Sequence, residues 1–128
     1  MNSLIKKLLV IPLFLFSGVT GCAQEKGRSM TVDELRKAAA NDSSLVILDV
    51  RTPEELNGPL GHIKGVVNIP VQELESRISE LEKYKNRPLA VICRSGHRSG
   101  IAQGILKKHG FNAVNVEGGM NAYRQTDK

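Results

Sequence analysis

Four short runs of mainly apolar residues recur along the chain. They cover residues 45–50, 66–69, 89–93 and 113–116. The run at 45–50, LVILDV, is continuous rather than alternating and is rich in β-branched side chains. Such a pattern predicts a strand that is buried on both faces, as strands of parallel sheets are.

Helical patterns separate these runs. Thr31 and Glu34 have the spacing of a capping box and predict a helix over 32–40. Further helices are predicted over 71–84 and 99–109. Three apolar residues share one face of the 71–84 helix: Leu74, Ile78 and Leu81. Buried strands alternating with helices predict an α/β fold, with a mainly parallel sheet flanked by helices on both faces.

Residues 1–21 have the order of an export signal. Lys6 and Lys7 precede an uncharged run and then small residues. The strongly apolar part is only about nine residues, well short of a transmembrane helix. Residues 19–22 (VTGC) resemble a bacterial lipobox, which implies that Cys22 is acylated and becomes the first residue of a lipoprotein. Ordinary signal-peptidase cleavage after Ala23 is the alternative.

The lipobox resemblance implies a protein held at the membrane on the periplasmic side. Ala23 stands where many inner-membrane lipoproteins have aspartate, so the outer membrane is favoured in a cell with two membranes. Residues 22–29 are predicted to be a tether, because 23–29 (AQEKGRS) are polar and include no large apolar residue, and the domain is predicted over 30–128.

Composition narrows the classes of function. A chain of 128 residues with 41% apolar and 24% charged residues fits one globular domain, which we expect to be monomeric. Without residues 1–21 the net charge is +3 rather than +5, which does not indicate nucleic-acid binding. Two cysteines and three scattered histidines lack the paired spacing of a structural zinc site, so no such site is expected.

Cys93 ends the 89–93 strand, and a short loop leads from it directly into the predicted 99–109 helix. Backbone N–H groups in such a loop, together with the positive end of the helix, favour an anion. They also favour thiolate over thiol, so Cys93 is predicted to be a nucleophile with a lowered pKa. The alternative is that Cys93 is only a small buried apolar residue. The residues expected to hold a substrate anion are Arg94, Ser95, Gly96, His97, Arg98 and Ser99.

Four segments together resemble the rhodanese-like (sulfurtransferase) family. They are 49–55 (DVRTPEE), 61–70 (GHIKGVVNIP), 93–99 (CRSGHRS) and 117–123 (EGGMNAY), and the resemblance covers about 30–124. It implies that Cys93 accepts sulfane sulfur as a persulfide, typically from thiosulfate, and passes it to cyanide or a thiol. The resemblance also implies that no metal or organic cofactor is needed. The chain departs from the family's pattern at residues 56–60, where the loop is longer than usual and lacks an aromatic residue.

Asp49 and Arg51 flank the end of the first predicted strand, near the expected active-site loop. Arg51 could bind substrate or position the loop. An ion pair between the two residues that holds the loops together is the favoured interpretation, because buried charges need partners. Both are expected to support the site rather than to react.

Two other functions stay open. Arsenate reductases and phosphatases of the cell-cycle type share this fold, but their loop places arginine six residues after cysteine, where this chain has Ser99 and Arg98 comes one residue earlier. A docking or persulfide-holding module without turnover is the other alternative. A retained nucleophile with two loop arginines favours transfer.

Overall fold

The computed structural model describes residues 27–127. The predicted export signal, Cys22 and most of the predicted tether therefore lie outside the described residues.

Within residues 27–127, five strands form one sheet in the order β1-β5-β4-β2-β3, and every neighbouring pair is parallel. The strands are β1 (Ser29–Met30), β2 (Val46–Asp49), β3 (Val67–Asn68), β4 (Leu89–Ile92) and β5 (Ala113–Val116). The helices are α1 (Val32–Asn41), α2 (Pro53–Leu56), α3 (Val71–Leu74), α4 (His97–Lys108) and α5 (Gly119–Gln125), with a 3₁₀ helix at Ile78–Tyr84. The predicted α/β fold is confirmed.

Two apolar cores lie on opposite faces of the sheet. On one face Leu89 and Val91 of β4 pack with α3, the 3₁₀ helix and α4, whereas on the other Ala90 and Ile92 pack with α1 and α5. All four residues of β4 are buried. This double burial explains the continuous apolar run of the sequence, because successive side chains of a strand point to opposite faces.

The single helix predicted over 71–84 is wrong. The Arg77 N–H is shared between the carbonyls of Glu73 (3.0 Å) and Leu74 (3.1 Å), and the chain continues as a 3₁₀ helix. In a 3₁₀ helix, residues three apart are eclipsed. The three apolar residues at that spacing, Ile78, Leu81 and Tyr84, all pack on the same core.

Other boundaries also differ from the sequence-based ones. Ser29, which the sequence assigns to the tether, lies in β1 and pairs with Asn115 of β5. The Asn115 N–H donates to the Arg28 carbonyl at 3.0 Å. The folded part therefore includes residues before Met30, because β1 completes the β5 edge of the sheet. Helix α4 begins two residues earlier than predicted, at His97. Among the helices in residues 27–127, none has the length and apolar character needed to cross a membrane.

Candidate active site

Cys93 directly follows β4, at the carboxyl end of the sheet, and only 1% of its surface is exposed. The chain then turns at Gly96, whose φ of 104° is a conformation that suits glycine, and enters α4 at His97. Arg94, Ser95 and His97 are exposed on this loop. The strand-to-helix position inferred for Cys93 is thus the one found.

Hydrogen bonds converge on the Cys93 sulfur. The Gly96 N–H donates to Sγ at 3.1 Å, and the Ser99 Oγ lies 3.2 Å from Sγ. Burial raises the pKa of the Cys93 thiol. The Ser99 hydroxyl and the backbone N–H groups of Ser99, Gly96 and Ser95 lower this pKa, and together they outweigh the effect of burial. The net pKa lies below that of an ordinary thiol, so thiolate is favoured.

The start of α5 supports the loop from the other side. The Met120 N–H donates to the Cys93 carbonyl at 2.8 Å, and the Asn121 N–H donates to the Arg94 carbonyl at 3.0 Å. A Cβ at Gly119 would lie 2.6 Å from the carbonyl carbon of Arg94, a distance that no side chain tolerates. Gly119 is therefore required for the close approach of α5 to the loop.

The two loop arginines differ in their partners. Arg98 forms a bidentate ion pair with Glu55, with N–O distances of 2.8 and 2.9 Å. The hydrogen bond from Arg98 is the main reason that the pKa of Glu55 falls to about 2. The fork of Arg98 is thus occupied by a carboxylate 43 residues away in the chain, and binding of a substrate anion by Arg98 stays a prediction. Arg98 still contributes positive charge near the Cys93 sulfur.

Sequence reasoning missed the role of Glu55. The residue completes a capping box with Thr52 at the start of α2: the Glu55 carboxylate accepts the Thr52 N–H at 2.9 Å. The Thr52–Glu55 spacing is visible in the sequence and could have indicated the short helix. The pairing with Arg98 has no such local signal.

Arg94 has no hydrogen-bond or ion-pair partner for its side chain among residues 27–127. It lines a recess of about 290 Å³ together with Asn121 of α5 and with Pro59 and Leu60. Those two belong to the 56–60 segment that departs from the family's pattern. The guanidinium of Arg94 is thus available to bind an anion in this recess.

Asp49 and Arg51 form a buried ion pair with an N–O distance of 2.7 Å, and each exposes 1% or less of its side chain. Arg51 also donates to the Gly61 carbonyl at 2.8 Å, and Asn68 donates to the Arg51 carbonyl. The predicted ion pair is confirmed. It holds the segment at Gly61 against β2, and its hydrogen bonds do not reach the Cys93 loop, contrary to the expectation.

Ser99 is fully buried and donates its hydroxyl to Asn115 Oδ1 at 2.6 Å. The Asn115 Nδ2 donates in turn to the Gly96 carbonyl at 3.2 Å. Asn115 was not singled out from the sequence, because nothing in its local pattern on β5 distinguishes it. Elsewhere within residues 27–127, no group of three His, Cys, Asp or Glu side chains is placed to hold a metal ion.

Comparison with known proteins shows the family to which the chain belongs. The family model for the rhodanese-like domain matches residues 31–126, so the chain belongs to the rhodanese-like sulfurtransferase family. Thiosulfate sulfurtransferase PspE of Escherichia coli is 37% identical over 73 residues, which are 57% of this chain and 68% of PspE.

YrkF of Bacillus subtilis is 42% identical over 92 residues, which are 71% of this chain but 48% of YrkF, so the chain spans about half the length of that relative. A solved structure of a rhodanese-related protein from Thermoplasma volcanium aligns with a TM-score of 0.68 at 36% identity, covering 77% of this chain and 91% of that one. Both comparisons extend over most of the folded part.

Proposed function

We propose that this protein transfers sulfane sulfur from thiosulfate, or a related anionic donor, to cyanide or a thiol through a persulfide on Cys93. The observation that carries the proposal is the buried sulfur of Cys93, which accepts the Gly96 N–H at the start of α4 and has a lowered pKa. A thiolate prepared in this way is the nucleophile that sulfur transfer requires.

The transfer takes two balanced steps. The Cys93 thiolate attacks the outer sulfur of thiosulfate, a new S–S bond forms, and the old S–S bond breaks with its electron pair leaving on sulfite. Cyanide or a thiolate then attacks the outer sulfur of the persulfide, and the Cys93 thiolate leaves. No external oxidant or reductant is needed, because sulfane sulfur keeps its oxidation state through both steps.

The loop suits the charges that these steps involve. Thiosulfate and sulfite are dianions, and the Arg94 side chain forms no ion pair among the described residues, because Glu55 of the same recess is paired with Arg98. The N–H groups around Sγ hold negative charge on sulfur in the thiolate, and they are preorganised by the bonds from α5 to the loop carbonyls.

Export and lipid anchoring are part of the proposal. They are supported by the order of charged, apolar and small residues over 1–21 and by the lipobox-like VTGC at 19–22. In this proposal Cys22 carries lipid, the domain lies on the periplasmic side of the membrane, and Cys93 reacts with small sulfur compounds there.

The direct test is formation of thiocyanate from thiosulfate and cyanide by the purified protein. We expect Cys93→Ser to abolish it, and the matched variant Cys22→Ser to keep it. Mass spectrometry after thiosulfate treatment should detect one added sulfur atom on Cys93. Hydrolysis of an aryl phosphate without thiocyanate would instead favour the phosphatase alternative, and absence of the added sulfur would favour a docking module.

A further inference from the structure

A half-buried amide on β5 links two parts of the active-site loop. Asn115 Oδ1 accepts the Ser99 hydroxyl at 2.6 Å, and Asn115 Nδ2 donates to the Gly96 carbonyl at 3.2 Å. The same two loop residues contact the Cys93 sulfur, through the Ser99 Oγ and the Gly96 N–H. Asn115 therefore stands one hydrogen bond away from the nucleophile along two routes.

The orientation of the amide follows from its neighbours. The Gly96 carbonyl is only an acceptor, so the Asn115 atom that faces it must be the NH₂ group. The carbonyl oxygen of the amide then faces Ser99, and it is also only an acceptor. Both Asn115 Oδ1 and an ionised Cys93 sulfur thus require the one proton that the Ser99 hydroxyl can donate.

The two protonation states of Cys93 use this proton differently. When Cys93 is a thiol, its S–H donates to the Ser99 Oγ, and Ser99 donates to Asn115. When Cys93 is a thiolate, the charged sulfur is the stronger acceptor, and the hydroxyl turns to it. The thiolate state therefore loses the Ser99–Asn115 bond that the thiol state keeps.

We propose that Asn115 is a positioning residue for sulfur transfer, which competes with Cys93 for the Ser99 hydroxyl proton and thereby limits how far the loop stabilises the thiolate. Once the persulfide has formed, its inner sulfur is uncharged and the hydroxyl returns to Asn115. The persulfide state therefore keeps both hydrogen bonds of Asn115, to Ser99 and to Gly96, whereas the free thiolate keeps only the one to Gly96. Asn115 thus favours the persulfide over the free thiolate. The inference rests on the proposed function only in taking Cys93 as the nucleophile.

Charged groups near Cys93 do not account for this competition. Arg98 on α4 is bound by Glu55 of α2, Asp49 at the end of β2 is bound by Arg51, and Arg94 is exposed on the loop itself. Within the described residues, none of these five charged side chains forms a hydrogen bond with the side chain of Ser99 or Asn115. Their effect on Cys93 should be the same whether Asn115 is present or not.

The test is a double-mutant cycle read by the pH at which iodoacetamide alkylates Cys93 at half its maximal rate. Asn115→Val, which suits a strand, frees the Ser99 hydroxyl for the sulfur and should move this midpoint down by about one pH unit, the size expected for one hydrogen bond to a charged group. Ser99→Ala removes the donor and should move the midpoint up. In the Ser99→Ala background, Asn115→Val should lose most of this effect, because only its bond to the Gly96 carbonyl still links it to the loop.

Gln103→Leu is the matched control. Gln103 is also an amide between α4 and β5, where its side chain donates to the carbonyls of Arg28 and Ala113, and among the described residues it makes no side-chain hydrogen bond to the Cys93 loop. It should lower stability and leave the alkylation midpoint unchanged. An equal effect of Asn115→Val with and without the Ser99 hydroxyl, or no effect in either background, would overturn the proposal.

A second measurement needs no change at Asn115. In the unaltered full chain, the side-chain amide resonance of Asn115 should shift with the same midpoint as Cys93 ionisation, and Ser99→Ala should remove most of that shift. A resonance that ignores Cys93 ionisation contradicts the proposal. Neither measurement requires sulfur transfer, so failure of the thiocyanate assay and failure of this inference are separate results.

Discussion

Arg94 on the active-site loop and Arg98 in the first turn of α4 are four residues apart, but the two guanidinium groups have different surroundings. Glu55 binds Arg98 in a bidentate pair, whereas the side chain of Arg94 has no hydrogen-bond or ion-pair partner among residues 27–127. An incoming dianion therefore meets an open charge at Arg94 and a shared one at Arg98. The two arginines of the motif should not contribute equally.

We predict that Arg94→Ala raises the KM for thiosulfate about tenfold with little change in kcat, because it removes one charge-assisted contact. Steady-state thiocyanate formation measures both constants. Arg87→Ala is the control, since Arg87 donates to the Ser44 carbonyl away from the site. An unchanged KM in the Arg94 variant would exclude this arginine from donor binding.

The ionisation of Glu55 makes the stability of the folded state fall at acid pH. Its pKa is lowered from 4.5 to about 2, chiefly by the hydrogen bond from Arg98. A carboxylate with a lowered pKa stabilises the folded state at pH values above 4.5, and that stabilisation is lost as pH falls from about 4.5 to about 2. The side chain is about one-third exposed, so solvent screening reduces the effect.

We therefore predict that Glu55→Gln lowers the free energy of unfolding by about 1 kcal/mol at neutral pH and by progressively less toward pH 2. Urea denaturation across this pH range measures the difference. The neighbour Glu54 is exposed and has no side-chain ion pair within residues 27–127, so Glu54→Gln should show no such trend. A loss that stayed constant down to pH 2 would contradict the assignment.

At the scale of elements, the site depends on how closely α5 approaches the loop after β4. The first N–H groups of α5 donate to the carbonyls of Cys93 and Arg94, and this is possible because Gly119 has no side chain and adopts a φ of 54°. One helix start supports the loop carbonyls while another, that of α4, faces the sulfur.

Gly119→Ala should therefore cost about 2–4 kcal/mol of stability and most of the sulfur transfer, because the new Cβ displaces the loop backbone. Thermal unfolding and thiocyanate formation report the two losses. Gly104→Ala is the matched control: it adds the same methyl group within α4, where nothing lies within 4 Å, and should raise stability by about 0.5–1 kcal/mol. Equal behaviour of the two variants would show that the close approach is unimportant.

At the scale of the whole molecule, parallel strands bring their carboxyl ends to one edge of the sheet. Asp49 at the end of β2, Cys93 after β4 and the Gly118–Gly119 turn after β5 meet there, although they come from three distant parts of the chain. Ligand sites of open α/β sheets lie at this edge. The proposed membrane anchor precedes the folded part by only a few residues, so the domain would lie close to the membrane.

We predict that Cys22→Ser releases the protein from the membrane fraction of the cells that export it, since the lipid attachment site is lost. Immunoblotting of membrane and soluble fractions measures the distribution. Cys93→Ser is the matched control and should stay with the membrane. Equal partitioning of the two variants would mean that Cys22 carries no lipid.

The chain's own pattern is sufficient for the class of fold and for the position of Cys93 between a strand and a helix. Continuous apolar runs between helical segments indicate a parallel sheet, and Cys93 at the end of one such run is recognisable because its loop is contiguous in sequence. The 3₁₀ helix at Ile78–Tyr84 was missed, since its apolar spacing of three is also compatible with an α-helix until the core selects between them.

Contacts between distant residues were decided only by the tertiary structure. Glu55 and Arg98 are 43 residues apart, and Ser99 and Asn115 are 16 apart. The alignment of neighbouring strands and helices decides that Arg94 is without an ion-pair partner within residues 27–127 and that Gly119 must lack a side chain. It also decides that Asn115 is the amide that binds the Ser99 hydroxyl. The sequence by itself determined that the Cys93 sulfur lies at the end of a buried strand, before a helix, because that depends on local pattern. The fold decided what surrounds the sulfur, because hydrogen bonds and ion pairs form between groups that only packing brings together.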